Sequence, residues 1–233
     1  MLDQLLDRST IVADLTKFIR RYTSLSNAIN CLANRKLTLM DPQTWDDRND
    51  RYFMARYKEG LGLRALYGVC AARCGETYHH WRVFTSGFDG VCIEIKRKPL
   101  EAELERQEHI RFSSVDYLKL GEVDQLTNND LLRLPFVKRA AFEPEREYRI
   151  VAHSNEEQQA ALDLELQLTW INRVVINPWM PAPVAGSVIA ALKGICTPNS
   201  IQIIRSRLLD NSRWRRAGDR VVAVGAEPQD TNS

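Results

Sequence analysis

The sequence predicts an α+β fold, a twisted mixed sheet with helices packed against it. Two observations carry this. Helix-like and strand-like periods follow one another without a regular strand–helix repeat, which argues against a doubly wound parallel sheet. The phosphate-binding signatures of nucleotide folds are also missing: no GxGxxG follows a strand, and GxxxxGK[ST] occurs nowhere.

The elements read in order as follows. LTKFIRRYTS (Leu15–Ser24) alternates as a strand, with Leu15, Lys17, Ile19 and Arg21 on one side and Thr16, Phe18, Arg20 and Tyr22 on the other. Ser24 caps a helix, LSNAINCLANR, in which Leu25, Ile29 and Leu32 recur at helical spacing. KLTLM is a short strand, and DPQTWDDRND (Asp41–Asp50) is a loop rich in turn formers. ALYGVCAA reads as a buried strand, GETYHHWRVF as a helix after Gly75, and GVCIEIK (Gly90–Lys96) as an alternating strand. HIRFSSVDYL is a further strand, and DQLTNNDLLRLPFVKRAAF a helix broken around Pro135. EYRIVAHS, INRVVINPW and NSIQIIRSRL are strand-like, with a helix over about Val184–Leu192 between the last two. The pattern implies one α+β domain over residues 1–226 and a disordered polar tail over 227–233.

Composition bounds the function. A chain of 233 residues with 44% hydrophobic and 27% charged residues is ordinary for a globular protein and needs neither disulfide nor metal to hold a core. A net charge of +2 is too small to argue for nucleic acid by itself. Five scattered cysteines (Cys31, Cys70, Cys74, Cys92 and Cys196) fit reduced thiols. The acidic start MLDQLLDRSTIVADL does not read as a secretory leader, so a cytoplasmic protein is expected. No run approaches the ~18 apolar residues of a membrane span.

Four groups of residues invite chemistry. In FEPEREYRI (Phe142–Ile150), strand alternation puts Glu143, Glu145, Glu147 and Arg149 on one face. Carboxylates that close repel unless cations sit among them. Arg149 is one such cation, and the Arg20–Arg21 pair is the candidate second. The plainer alternative is a strand entrance whose glutamates face solvent. WDDRND gathers Asp46, Asp47 and Asp50, oxygens of the kind a metal-dependent nuclease would use. Their spacing matches no metal motif, and a hydrogen-bonded loop beside Trp45 explains them. His79 and His80 point about 100° apart on a helix and do not share a metal. Cys70 and Cys74 have neither redox nor zinc spacing. Finally, RSRLLDNSRWRRAGDR interleaves Arg205, Arg207, Arg213, Arg215, Arg216 and Arg220 with Trp214, a composition that suits phosphates and stacked bases.

Four segments together resemble a bacterial family, domain of unknown function 2971. RYTSLSNAINCLANRKLTLMDPQTWDDRND is similar to its opening strand, helix, strand and acidic loop. YHHWRVFTSGFDGVCIEI is similar to its W-x-x-Y-x-x-x-x-x-G-V-C-I-E-F segment. FVKRAAFEPEREYRIV is similar to its K-x-x-x-W/F-x-x-E-x-E-Y-R-I segment, and INPW and IIRSRL to its tail. Arg48 stands where proline is common, and Phe84 where tyrosine is common. The order of these motifs is similar to that of the ADP-ribosyltransferase superfamily, a split mixed sheet that grips NAD.

That resemblance implies roles. Arg21 or Arg20, with Tyr22 and Thr23, would hold the dinucleotide. Tyr78 or Trp81 would pack the nicotinamide side. Glu147, with Glu145 as its understudy, would meet the nicotinamide ribose, and Arg149 would join the cofactor-side cations. The implied function is NAD cleavage, with ADP-ribose passing to a macromolecule, nucleic acid or protein, in a toxin or phage-defence setting. NAD is the expected co-substrate, and neither a metal nor a membrane is expected. A nucleic-acid-binding module built on the arginine-rich stretch, and a metal-dependent nuclease, are the rival functions.

Overall fold

β1 (Phe18–Ser24) opens the sheet in the computed structural model, which describes residues 17–85 and 87–224. Ser24 ends the strand and caps α1 (Leu25–Asn34), its hydroxyl accepting from the Asn27 N–H at 3.3 Å. β2 (Lys36–Met40) follows. Only half of the expected Asp41–Asp50 loop is a loop. After a 3-10 turn at Pro42–Thr44, the Asp47 carboxylate accepts from the Asn49 N–H at 2.8 Å and starts α2 (Arg48–Gly60). The buried positions of α2 are Asp50, Met54 and Tyr57. An acid in the inward stripe hides the helical period from the sequence.

Next come β3 (Ala65–Ala72), α3 (Tyr78–Phe84), β4 (Gly90–Lys96) and α4 (Arg97–Leu104). HIRFSSVDYL divides into β5 (Ile110–Ser114) and β6 (Asp116–Leu118), which join different sheets. A short α5 (Leu120–Val123) and a 3-10 segment around Pro135 lead to β7 (Val137–Arg139). β8 (Glu147–Ser154), β9 (Ala161–Glu165), β10 (Ile171–Ile176), α6 (Ala182–Cys196), β11 (Gln202–Arg205) and α7 (Ser212–Val224) complete the chain. The tail at 227–233, and Leu15 and Thr16, lie outside the described residues.

The expected mixed, split sheet is present. Among the described residues it has nine strands, in the order β11-β10-β4-β1-β3-β2-β9, with β8 between β3 and β5. β10 and β11 are parallel and the remaining pairs antiparallel. β8 pairs with the whole length of β3, Ala65 to Ala72, and so occupies one edge. β1 and β2 must then share the other edge. β1 touches it at Ala72 and β2 at Gly68. Cys70 lies between these two bridges, where the sheet opens.

One face carries the main core, in which Ile19, Leu39, Val69, Ile93 and Ile150 pack under α1, α4 and α6. The other face has two smaller clusters. Tyr22, Cys92 and Val175 pack around Trp81 of α3, and Leu66 and Val151 pack under Met54 and Tyr57 of α2. No helix among the described residues is long and apolar enough to cross a membrane.

Candidate active site

The opening in the sheet is the back of a cleft of about 400 Å³. Arg21 and Glu147 both line it. Register places the two residues on opposite faces: Arg21 stands opposite Ile93 on the main-core side, and Glu147 opposite Ala72 on the other. The split brings them together. The Arg21 guanidinium enters the gap and donates to the Cys70 carbonyl at 3.0 Å. No carboxylate lies within ion-pair distance of Arg21 among the described residues. Burial pulls its pKa below the ordinary arginine value, with the Cys70 and Cys31 thiols opposing. Trp45, Phe84 and Phe142 give the cleft aromatic walls. Trp45 lies so close to β3 that a Cβ on Gly68 would sit 2.7 Å from its ring, so glycine is needed there for the wall to stand where it does.

The floor is a buried cluster of five charges. Lys138, on β7, sits 2.6 Å from Glu145 and 2.6 Å from Glu147, with Asp50 at 3.4 Å. Arg149 donates to Glu147 at 2.7 Å, to Asp50 at 2.6 Å and to the Pro135 carbonyl at 3.0 Å. Three carboxylates face two cations, so one proton is needed to balance a site this buried. Burial and the neighbouring Glu147 carboxylate push Glu145 above the usual carboxylate range, with Lys138 opposing. Burial also works to raise Glu147. The Arg149 guanidinium, hydrogen bonds from Glu145 and Arg149, and Lys138 outweigh it and hold Glu147 below that range. Burial raises Asp50 as well, with Arg149 and Lys138 opposing, so these shifts point to Glu147 as the anion and leave Glu145 and Asp50 as the carboxyls that hold a proton more readily.

Glu145 and Glu147 are 5% and 4% exposed, which overturns the solvent-facing strand entrance. The alternation reading also needs correction. The strand starts at Glu147, Pro144 lies in a 3-10 turn over Ala140–Glu145, and Arg146 adopts φ 46° before the strand begins. Glu145 reaches the shared lysine from a turn rather than from a strand face. His80 steadies that turn. Its Nε2 lies 2.9 Å from the Glu145 carbonyl, and Nδ1 lies 2.5 Å from the Thr77 hydroxyl. A carbonyl only accepts, so Nε2 carries the proton, and burial keeps the ring neutral by lowering its pKa.

Of the other site residues expected for NAD, Arg20 and Tyr22 border with Arg21, Phe84 and Glu147 a narrow crevice of about 10 Å³ beside the cleft, and none of the rest lines the cleft except Glu145. Arg20 pairs with Glu94 at 2.6 Å and donates to the Cys74 carbonyl, both contacts outside the cleft. Tyr22 is buried against Trp81 and His80. Thr23 borders a shallow hollow beside α1. Trp81 is 1% exposed, and its Nε1 donates to Glu76 at 2.7 Å, while Tyr78 faces solvent beside Trp179 and Arg82. From α3 it is Val83 and Phe84 that reach the cleft instead. Arg149 is 1% exposed, is absent from the cleft lining and has each guanidinium nitrogen bonded to Glu147, Pro135 or Asp50, so its contacts here are with the buried cluster. Asp46 and Asp47 line the rim, but Asp50 is tied to Arg149 and Lys138, which a nuclease metal would have to displace. Among the described residues no three His, Cys, Asp or Glu side chains are grouped to hold a metal. Lys138 and the aromatic walls went unread in the sequence. Three crowded glutamates called for a cation, and Lys138 is the lone lysine between Lys119 and Lys193.

The arginine-rich stretch forms the exposed helix α7 and the turn before it. Arg205 is set apart from that surface, donating to the Pro178 carbonyl at 2.7 Å.

No family model matches the chain, and no curated protein matches it. The chain is similar to solved structures of Thermus sp. 2.9 DarT. For DarT in complex with NAD+ the TM-score is 0.42 at 12% identity, covering 82% of this chain and 96% of that one. For DarT in complex with ADP-ribosylated ssDNA the TM-score is 0.42 at 14% identity, covering 82% and 95%. For the carba-NAD+ complex it is 0.40 at 12% identity, covering 82% and 96%.

Proposed function

We propose that the cleft binds NAD and breaks its nicotinamide–ribose bond, with transfer of ADP-ribose to a macromolecule as the extended form of the reaction. The observation that supports this reading is the meeting of Arg21 and Glu147 in one cleft. When the bond between ribose C1′ and the pyridinium nitrogen breaks, the electron pair leaves with nicotinamide and positive charge grows on the ribose. Glu147, kept anionic by Arg149 and Lys138, accepts a hydrogen bond from a ribose hydroxyl and stabilises that charge. Arg21, without a carboxylate partner, suits the pyrophosphate. Trp45, Phe84 and Phe142 offer a planar ring apolar faces. An acceptor O–H or water then adds to C1′, and its proton passes to solvent or to Glu145 when that group is ionised.

The test is nicotinamide release by the purified chain. Glu147→Gln is expected to lower kcat about 100-fold or more, since it removes the anion facing the developing charge. Arg21→Ala is expected to raise KM. Release that survives both changes overturns the assignment. So does a folded wild-type chain that neither binds NAD by calorimetry nor releases nicotinamide.

A further inference from the structure

A second and larger concavity, about 820 Å³, lies between α7 and the turn that precedes it. Arg207, Arg213, Arg215 and Arg220 line it together with Trp214. From Arg207 to Arg220 the chain carries five arginines and two aspartates. Arg215 pairs with Asp210, while Arg207, Arg213 and Arg220 have no carboxylate within ion-pair distance among the described residues. Trp214 is 82% exposed, a large apolar ring left in water among cations.

The groove is also built firmly. The Asn211 side-chain oxygen Oδ1 accepts from the Arg213 and Trp214 N–H groups at 3.0 and 3.1 Å and fixes the first turn of α7. The Ser206 hydroxyl bonds to Glu76 and accepts from the Leu208 N–H at 3.1 Å, and Arg205 holds the Pro178 carbonyl, so the turn cannot drift. Glu76 lines the groove and also receives the Trp81 Nε1 proton from α3. The other end of that seven-residue helix carries Val83 and Phe84 into the cleft. Groove and cleft thus both border this part of the chain, the groove through Glu76 just before α3 and the cleft through Val83 and Phe84 within it.

We propose that this groove binds a single-stranded nucleic acid, with phosphates on Arg207, Arg213 and Arg220 and a base stacked on Trp214. An exposed aromatic among unpaired arginines supplies both halves of single-strand recognition, a π-face for a base and cations that track the backbone. A membrane surface fits less well. The site is concave, and the stripe Trp214, Ala217, Gly218 and Val221 presents only two large apolar side chains. A strand held there is also the candidate acceptor for the chemistry in the cleft, since α3 borders the cleft through Val83 and Phe84, and Glu76, just before it, lines the groove. That last step rests on the NAD reading, and the binding itself does not.

Fluorescence anisotropy with labelled 12-nucleotide DNA and RNA tests it, using the full chain at two salt concentrations. Wild type is expected to bind single strands at 50 mM salt and to weaken at least tenfold at 200 mM. Arg213→Ala with Arg220→Ala should weaken binding and flatten the salt dependence, whereas Trp214→Ala should cost about tenfold with the salt slope kept. Strand binding by a wild-type chain that neither binds NAD nor releases nicotinamide sinks the NAD reading and leaves this one standing. No binding at 50 mM salt overturns the proposal. So does equal binding by all variants, equal affinity for duplex, equal displacement by polyglutamate, or capture by phosphatidylserine vesicles in place of oligonucleotide.

Discussion

The segment Glu145–Arg149 and the segment Arg213–Arg220 are both dense in charge, and they end in opposite surroundings. In the first, Glu145, Glu147 and Arg149 are at most 5% exposed, and all three charges have partners within 2.7 Å. In the second, the arginines face water and Trp214 is 82% exposed. The local sequence does not decide this. Glu147 and Arg149 are buried because two distant segments bring counter-charges, Lys138 from β7 and Asp50 from α2. Among the described residues no ion pair from another element reaches α7. A charge goes inside only when partners from other elements replace the water it loses.

The largest expected effect follows directly. Arg149→Met leaves Glu147 and Asp50 buried without their shared guanidinium, and should cost about 3–5 kcal/mol. Arg216→Ala on α7 should change stability by less than about 0.5 kcal/mol. Urea unfolding of the two variants beside wild type measures the gap. An Arg149→Met loss below about 1 kcal/mol means the five-charge cluster is not the closed network its distances describe.

The same contrast explains what was legible in the sequence. Alternation separated Arg20 from Arg21, and the structure sends them to Glu94 and to the cleft respectively. It did not say which side was the cleft, because that depends on where β1 and β2 leave β3. Strands β3, β4, β8 and β10 were readable because charge interrupts their apolar runs only at Glu94, Arg149 and Arg173, which all sit in ion pairs, with Glu147 and Lys96 at strand ends. α2 was not readable as a helix, since one of its inward positions is Asp50. EYRIVAHS begins where its strand does, at Glu147, which lines the cleft, but the alternation extended back to Glu143 fails because Pro144 and the left-handed Arg146 leave no period to follow. Lys138 was missed because a three-residue strand is too short to show alternation.

The two glutamates should separate with pH, an effect of intermediate size. Glu147 titrates below its unfolded value, so its stabilisation is present above the ordinary carboxylate range and is lost as pH falls through it. Glu145 titrates above its unfolded value, so the folded state loses stability as pH rises from the ordinary carboxylate range toward that higher value. Glu147→Gln should therefore be less stable than wild type by about 1–3 kcal/mol at pH 8 and still so at pH 5, with the difference shrinking only as pH falls below the ordinary carboxylate range. Glu145→Gln should match wild type in acid and exceed it by about 1 kcal/mol at pH 8. Urea midpoints at the two pH values read this out. Shifts in the same direction for both variants would show that the proton is not placed on Glu145.

The smallest expected effect lies inside the buried stretch itself. Arg146 stands between Glu145 and Glu147, yet its side chain is 58% exposed and among the described residues pairs only with Glu143, itself 52% exposed. An exposed pair of this kind contributes between about 0 and 1 kcal/mol. The backbone at Arg146 is left-handed, φ 46°, and its carbonyl accepts from the Arg73 N–H at 2.8 Å. Alanine carries the same Cβ as arginine, so Arg146→Ala leaves the backbone cost unchanged and isolates the charge. The change should stay below about 0.5 kcal/mol in urea unfolding, as for the arginines of α7 and unlike Arg149 three residues on. A loss above about 2 kcal/mol would mean that Arg146 belongs to the buried cluster, and that charge density along the chain, rather than partners from distant elements, decides what is held inside.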